Sequence, residues 1–154
     1  MDFPPMPPVR QIAHGSAPGG GHWTLEIGGS PDGPFTIINL EYPDGRRHGG
    51  GIGAGVLQQD TVMATYFGRS SETPLSIVCR AKPKVARLRV EGSNLPGESL
   101  DLTPVASLPE IGTAGEVFFA AVLPPDARLS SFRALDADGH TLDTTIAAQP
   151  PSWN

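Results

Sequence analysis

The sequence predicts an all-β protein, an antiparallel β-sandwich of immunoglobulin-like or jelly-roll-like type. The 154-residue chain contains 19 glycines and 17 prolines, residues that break helices and suit the corners between short strands. Between these corners, apolar and polar residues alternate in short runs, and no segment shows the apolar spacing of an amphipathic helix. Roughly nine or ten short strands, with a turn about every ten residues, are typical of a sandwich.

Composition along the chain divides it into three parts. Residues 1–21 are predicted to be a flexible arm and linker, because prolines recur near the start and the run 15–21 is rich in glycine. A short first strand at 9–13 is predicted within this arm. Residues 22–148 are predicted to form the sandwich, and residues 149–154 a C-terminal tail.

The first half of the sandwich is predicted from alternating runs that are joined by turns. Three apolar residues share one face of the first run, namely Trp23, Leu25 and Ile27. This period of two predicts a half-buried strand with polar residues on its other face. A second strand is predicted at 35–42, where the adjacent Ile37 and Ile38 indicate burial on both faces. A glycine-rich stretch at 49–55 then precedes a strand at 61–67.

Six strands are predicted in the second half of the sandwich, at 75–80, 85–91, 98–105, 117–123, 129–135 and 140–146. The run 117–123 is apolar on both faces and is therefore predicted to lie centrally in the core. The sequence Asp136-Ala137-Asp138-Gly139 predicts a tight turn, because glycine tolerates the positive φ that such turns require.

The second half also resembles uncharacterised β-sandwich domains from high-GC actinobacteria, over about residues 84–142. Three strand and turn motifs carry this resemblance, namely Lys84-Val85-Ala86-Arg87-Leu88-Arg89-Val90, Phe118-Phe119-Ala120-Ala121-Val122-Leu123-Pro124 and Ala134-Leu135-Asp136-Ala137-Asp138-Gly139. The resemblance implies an immunoglobulin-like fold. It implies no catalytic residues, because the shared motifs are structural.

Composition argues against several classes of function. Eleven basic and sixteen acidic residues give a formal charge of −5, the opposite of the basic surface of a nucleic-acid-binding protein. Cys79 is the only cysteine, so an intramolecular disulfide and a multi-thiolate metal site are both excluded. No signal-peptide pattern and no membrane-spanning apolar stretch is present. A cytoplasmic location is the default expectation, with secretion expected only for a processed fragment.

No motif predicts a catalytic, cofactor or metal site. Gly49, Gly51 and Ala54 fit the dinucleotide-binding pattern G-x-G-x-x-A, but the strand before it and the helix after it are missing. We interpret this stretch as a bend or bulge where sheets approach closely. Asp136-x-Asp138 begins like a calcium loop, yet the twelfth position is Ala147 and not glutamate.

The histidines and the single cysteine also predict no metal site and no catalytic site. The histidines lack the H-x-H or H-x-x-x-H spacing that places two imidazoles on one metal, and they lie at positions 14, 22, 48 and 140. Cys79 lies in an apolar run, which predicts a small core residue and not a nucleophile. We therefore predict that the purified chain holds no cofactor and no stoichiometric zinc or calcium.

The predicted partner-binding residues are Arg46, Arg47, His48 and Trp153. The first three form the densest cationic cluster of an acidic chain, and they precede glycines that let a partner approach the backbone. They could bind a carboxylate or an acidic surface, or they could form an ordinary solvated loop. Trp153 is either an interface anchor or a plug at the edge of the core.

We interpret the sequence as a non-enzymatic β-sandwich, an accessory or assembly module that binds another protein or associates with itself. Two alternatives stay open. A ligand- or carbohydrate-binding jelly roll would need a concave face lined by aromatic residues, and the chain has two Trp and two Tyr. A hydrolase with a spatially assembled site would need a serine or cysteine within hydrogen-bond reach of a histidine.

Overall fold

The computed structural model describes residues 9–30, 33–52, 57–68, 74–95, 97, 99–112 and 114–146. Twelve strands run through these residues, namely β1 (Arg10–Ala17), β2 (Gly21–Ser30), β3 (Gly33–Glu41), β4 (Arg47–Ile52), β5 (Met63–Gly68), β6 (Leu75–Ala81), β7 (Arg87–Ser93), β8 (Ser99–Leu102), β9 (Ala106–Leu108), β10 (Glu116–Leu123), β11 (Arg128–Leu135) and β12 (Thr141–Ile146). The predicted all-β class is confirmed. Within the described ranges, no helix is long and apolar enough to cross a membrane.

The strands form three antiparallel sheets of four strands each. Sheet A has the order β1-β2-β3-β4, sheet B the order β5-β6-β10-β9, and sheet C the order β12-β11-β7-β8. Sheet A is a meander of consecutive strands, whereas sheets B and C interleave along the chain. The short β9 was not predicted, and the other strands of sheets B and C lie close to their predicted positions.

Sheet B is the middle layer of the molecule, because alternate residues of β10 enter two different cores. Phe119 packs in one core with Leu88 and Phe132 of sheet C. Phe118 packs in the other core with residues of sheet A, including Trp23. Successive residues of a strand point to opposite faces, so a sheet covered on both sides needs apolar residues throughout. The prediction that 117–123 is central is confirmed, and a third sheet lies on the predicted sandwich.

Sheet A is an outer layer, and the described part of the chain covers its inner face only. Burial alternates along the whole of β3, and Ile38 is buried in the core whereas Ile37 is only partly buried. The prediction that this strand is buried on both faces was therefore wrong. Two adjacent isoleucines in a strand of an outer sheet face different environments, because the side-chain period is two.

The first hairpin corrects the predicted linker. β1 pairs with β2 as far as Ala17 opposite Gly21, and Gly19 and Gly20 have positive φ values of 84° and 83°. These two glycines turn the chain between paired strands, so the run 15–21 is a strand end and a hairpin turn and not a linker. The sheet accordingly begins at β1 and not at residue 22. The prolines within 1–8 and the tail 149–154 lie outside the described residues.

The glycine-rich stretch forms the strand β4 and not a bend as far as it is described. The predicted close approach of two sheets does occur there, because a Cβ atom on Gly50 would lie 2.7 Å from the hydroxyl of Tyr66 on β5. Glycine at this position lets the β4 backbone of sheet A lie against an aromatic ring of sheet B. Ala54, the last residue of the dinucleotide-like pattern, lies outside the described residues.

Candidate functional site

The candidate site is the outer face of sheet A. Because Trp23, Leu25 and Leu40 fill the inner face, the alternate residues of β2, β3 and β4 point away from the core. Six polar residues form this surface, which we call the polar face, namely His22, Thr24, Glu26, Asn39, Glu41 and Arg47. All of them except His22 line a solvent-open depression of about 420 Å³, together with Leu40, His48 and Gly49.

Strand register aligns a charged row across the polar face. His22 lies opposite Glu41, and Glu41 lies opposite Arg47. An Arg47 guanidinium nitrogen donates to Glu41 Oε1 at 3.1 Å, and His22 Nε2 lies 3.5 Å from Glu41 Oε2. Exposed pairs of this kind contribute at most about 1 kcal/mol. The row therefore arranges the surface more than it stabilises the fold.

A second pair lies beside this row at the depression. Asn39 Nδ2 donates to Glu26 Oε1 at 2.9 Å, and Gly49 lies opposite Asn39 on β4. A Cβ atom on Gly49 would lie 3.1 Å from Asn39 Oδ1. The depression is thus in part the space left by the side chain that glycine lacks, and the backbone of β4 is accessible there.

The structure does not bring Arg46, Arg47 and His48 to one surface. Arg47 joins the polar face, whereas the next side chain of the strand points the other way, and the His48 ring packs edge-on against Tyr42 with centroids 6.2 Å apart. Arg46 lies in the preceding turn, where its guanidinium sits 5.0 Å from the centre of the Tyr42 ring. Neighbours in a strand diverge because their side chains alternate. The predicted cationic cluster is therefore divided.

Arg46 is also largely neutralised by its own turn. Its Nε donates to Asp44 Oδ2 at 2.6 Å, and its backbone amide donates to Asp44 Oδ1 at 3.0 Å. The hydrogen bond from the Arg46 amide and, to a smaller extent, the bond from the Arg46 guanidinium hold the pKa of Asp44 below its usual value. Of the three predicted cationic residues, only Arg47 remains on the polar face.

Sequence reasoning did not select Glu26, Asn39 or Glu41 as site residues. Each is an ordinary outward residue of an alternating strand, so its type alone gives no signal. The informative signal is the register, since β2 pairs with β3 as far as Ser30 opposite Gly33 and β3 pairs with β4 as far as Glu41 opposite Arg47, which places these residues in rows. Trp153, the fourth predicted binding residue, lies outside the described part of the chain.

Cys79 is a core residue, as predicted. Its side chain is 0% exposed, and burial raises the pKa of its thiol to about 12, against a smaller opposing effect of the hydrogen bond from Thr65. The thiol therefore stays protonated and enclosed, the opposite of what a nucleophile requires. All four histidines lie in described ranges, and none of them hydrogen-bonds a serine or cysteine there.

The turn between β11 and β12 gathers Asp136, Asp138 and His140, whose possible ligand atoms lie within 4.8 Å of one another. Gly139 has the positive φ predicted for this turn, at 85°. Asp136 Oδ1 accepts the backbone amides of Asp138 and His140 at 3.0 and 2.8 Å, and these bonds hold the pKa of Asp136 below its usual value. Capping of the turn thus accounts for the position of Asp136.

The polar face combines carboxylate, amide, guanidinium and imidazole groups in a fixed register on an open sheet. Such a surface can donate and accept hydrogen bonds and can pair with charges of either sign. Comparisons of the chain with protein-family models, curated proteins and solved structures found no match.

Proposed function

We propose that the chain is a non-enzymatic binding module that docks a partner protein on the polar face of sheet A. The observation that supports this proposal is the row formed by His22, Glu41 and Arg47, which is held in register and yet open to solvent. Their side chains are 59%, 46% and 78% exposed. A row of polar groups that is ordered before binding loses little freedom when a partner docks.

The charges of the row indicate the chemistry of the partner. Arg47 and Glu41 carry opposite charges, and Glu26 adds a second carboxylate close by. The partner should therefore present both a carboxylate and a cationic group, and not a purely acidic surface. Charged groups arranged in this way steer association and set specificity more than they add affinity. Because the pairs within the row are weak, a partner can replace them at low cost.

A protein partner is favoured over a carbohydrate because the described lining of the depression includes no Trp, Tyr or Phe. A sugar-binding site ordinarily presents an aromatic ring on which the apolar face of a sugar can stack. Sheet A instead offers side-chain hydrogen-bonding groups and the backbone of β4. These are groups that recognise a polypeptide surface.

A charge exchange tests the docking surface without removing the pair. The double variant Glu41→Arg with Arg47→Glu keeps one cation opposite one anion, so the fold should be retained while the polarity of the row is reversed. The matched control is Arg89→Asp with Asp101→Arg, which exchanges an exposed pair at 2.8 Å on sheet C. Both variants and the parent are used for affinity purification from native cells with quantitative mass spectrometry.

The captured amount of a true partner should fall by about tenfold or more with the sheet A exchange. The captured amount should not change with the sheet C exchange. Its affinity is then measured with purified components by titration calorimetry. Equal capture by all three proteins would place the interface elsewhere and contradict the proposal.

The terminal segments extend the proposal beyond the described residues. The prolines within 1–8 and Trp153 stay predicted interaction segments, and Trp153→Ala should weaken partner capture without changing the melting temperature. We also propose a cytoplasmic location and an immunoglobulin-like type for residues 84–142, the latter supported by the resemblance noted above. Limited proteolysis with and without partner tests the arms, since arms that order on binding become protected.

A further inference from the structure

The outer face of sheet A is polar at one end and apolar at the other. Phe35 and Ile37 lie on the same side of β3 as the polar face, and both are partly buried. Phe35 is opposite Gly28 of β2, and its ring occupies the space that a side chain on Gly28 would fill. A methyl carbon of Val9 would lie 2.8 Å from a Cβ atom on Gly28. Val9, Phe35 and Ile37 thus form an apolar surface, which we call the apolar end.

Val9 connects the apolar end to the N-terminal segment, residues 1–8. Its side chain lies on the outer face beside the Phe35 ring and is nevertheless 44% exposed. Pairing of β1 with β2 ends at Arg10. Pro7-Pro8 cannot continue this ladder, because proline has no amide hydrogen and one of two consecutive residues has to face β2. The N-terminal segment should therefore leave the plane of the sheet beside the apolar end.

The sequence of this segment repeats with a period of three. Phe3, Met6 and Val9 are separated by the pairs Pro4-Pro5 and Pro7-Pro8. Proline-rich segments favour the polyproline II helix, which has three residues per turn. In this helix the three large apolar residues share one edge, and the prolines occupy the other two edges. The edge that Val9 places on sheet A is therefore the apolar edge of the whole segment.

We propose that the N-terminal segment lies across the outer face of sheet A in the polyproline II conformation, with Met6 packed on Ile37. Successive residues of the apolar edge are about 9 Å apart in this helix. Ile37 lies on the strand next to Gly28 and two residues further along, a distance of roughly 8 Å from the ordinary spacings of a sheet. The step from Val9 to Met6 thus matches the step from Gly28 to Ile37. Gly51 lies opposite Ile37 on β4, and its lack of a side chain leaves room for the methionine.

The chain's own N-terminal segment is the occupant that these residues favour. It is attached at Val9, so its effective concentration at the apolar end is about millimolar or higher. Its prolines restrict the backbone before packing, and little conformational entropy is then lost. The flexible thioether of Met6 adapts to an irregular apolar surface. The two edges that carry the prolines stay exposed, so a partner can still contact them.

Disulfide trapping in the full chain tests the position of the segment. Met6→Cys combined with Ile37→Cys should form an intramolecular disulfide on mild oxidation, because the two side chains meet. The matched control combines Met6→Cys with Gln11→Cys. Gln11 is exposed on β1 and lies opposite Glu26, which in turn lies opposite Ile37. Two strand spacings, roughly 10 Å, therefore separate Gln11 from Ile37.

The two yields distinguish a packed segment from a loose one. A loose segment would reach Gln11 at least as often as Ile37, because Gln11 is closer to position 6 in sequence. A packed segment should give about tenfold more disulfide with position 37 than with position 11, since a disulfide forms only between close residues. Peptide mapping by mass spectrometry measures both yields. The native Cys79 does not interfere, since its side chain is 0% exposed.

A double-mutant cycle tests the contact without cysteines. Met6→Ala should lower the melting temperature by about 2–4 °C, because it removes apolar packing. In an Ile37→Ala background the same change should have about half this effect or less, since residues in contact are not additive. In a Gln11→Ala background its effect should be unchanged. Calorimetric melting of the full chain and these variants measures each shift.

Three results would overturn the proposal. The first is equal trapping at positions 37 and 11, and the second is a melting temperature that Met6→Ala does not change or that falls additively with Ile37→Ala. The third is a disulfide between positions 6 and 37 that links only two different chains, which would assign the apolar end to a second copy. The packing belongs to the free chain and does not rest on the proposed docking function, which the charge exchange tests separately.

Discussion

Arg80 and Glu116 form an ion pair in which both side chains are almost fully buried, at 2% and 3% exposure, with a nitrogen and an oxygen 2.8 Å apart. Arg80 Nε also donates to Glu116 Oε1 at 2.9 Å. The other carboxylate oxygen accepts the backbone amide of Leu57 at 3.1 Å. The Glu116 carboxylate therefore links the segment before β5 to sheet B by a hydrogen bond.

Glu116→Ala should lower the free energy of unfolding by about 3–5 kcal/mol, because it removes the carboxylate that faces a buried guanidinium. Glu41→Ala, which removes an exposed carboxylate of the polar face, should cost no more than about 1 kcal/mol. Urea titration of both variants measures the two losses. Equal losses would mean that the buried pair adds nothing specific to stability.

Cys79 makes stability depend on pH in the alkaline range. Its pKa is about 12 in the folded chain, compared with an ordinary value of 9.0. Between these values the unfolded thiol loses its proton while the folded thiol keeps it, so folding becomes less favourable as pH rises. The loss should reach about 1.4 kcal/mol per pH unit above about pH 9, and none is expected below it.

The thiol contribution is isolated by comparing the parent with Cys79→Ala. The difference between their free energies of unfolding should shrink as pH rises above about 9, because only the parent carries the titrating thiol. In parallel, a thiol reagent should label the native parent slowly and the unfolded chain rapidly. A constant difference across this pH range would show that Cys79 does not titrate in this way.

The strand β10 belongs to two cores at once. Phe118→Ala and Phe119→Ala should therefore each cost about 3–5 kcal/mol, the first by opening the core between sheets A and B and the second by opening the core between sheets B and C. Denaturant titration measures both losses. If both variants stayed within about 0.5 kcal/mol of the parent, β10 would have to be peripheral.

The pairing of β7 with β11 depends on Gly92. The register shifts between Leu129 and Ser131 at this point, and a Cβ atom on Gly92 would lie 1.9 Å from the carbonyl oxygen of Arg128. Gly92→Ala should thus destabilise the fold by about 1–3 kcal/mol or more, because backbone must move. The neighbouring Ser93→Ala, at an exposed position, should have little effect. Thermal melting compares the two variants.

The existence of most strands could be predicted from local pattern, whereas their assembly could not. The apolar run of β10 predicts a strand that is buried on both faces, because such a strand has apolar residues at successive positions and not only at every second one. Ile37 and Ile38 give the same local signal in β3, yet β3 lies in an outer sheet. Which sheet covers a strand depends on distant parts of the chain, so two neighbouring apolar residues do not reveal it.

The candidate site was predictable only in part, for the same reason. Arg47 and His48 are neighbours in sequence, but strand geometry sends them to opposite faces. His22, Glu41 and Arg47 lie on three different strands, and the strand register aligns them. Consecutive charged residues can share one surface when they lie in a loop. In a strand, the alternation of side chains distributes them over the two faces of the sheet.

The whole molecule consists of a covered sheet between two outer sheets, and its local stability should follow that order. Backbone amides of β6 and β10 should exchange with solvent most slowly, because both faces of their sheet are buried. Amides of β12 should exchange fastest among the strands in dilute solution. Hydrogen exchange followed by mass spectrometry measures this ranking. Exchange of β6 as fast as that of β12 would contradict the layered arrangement.

The contiguity of sheet A along the chain has a consequence for biosynthesis. Residues 10–52 leave the ribosome before β6 and β10, and their four strands pair with sequence neighbours, which allows early folding. The apolar side of this meander, with Trp23 and Leu25, is covered only after β10 has been synthesised and paired. A meander that forms at this stage exposes its apolar side until β10 covers it. In this interval it is most prone to aggregation and most in need of a chaperone.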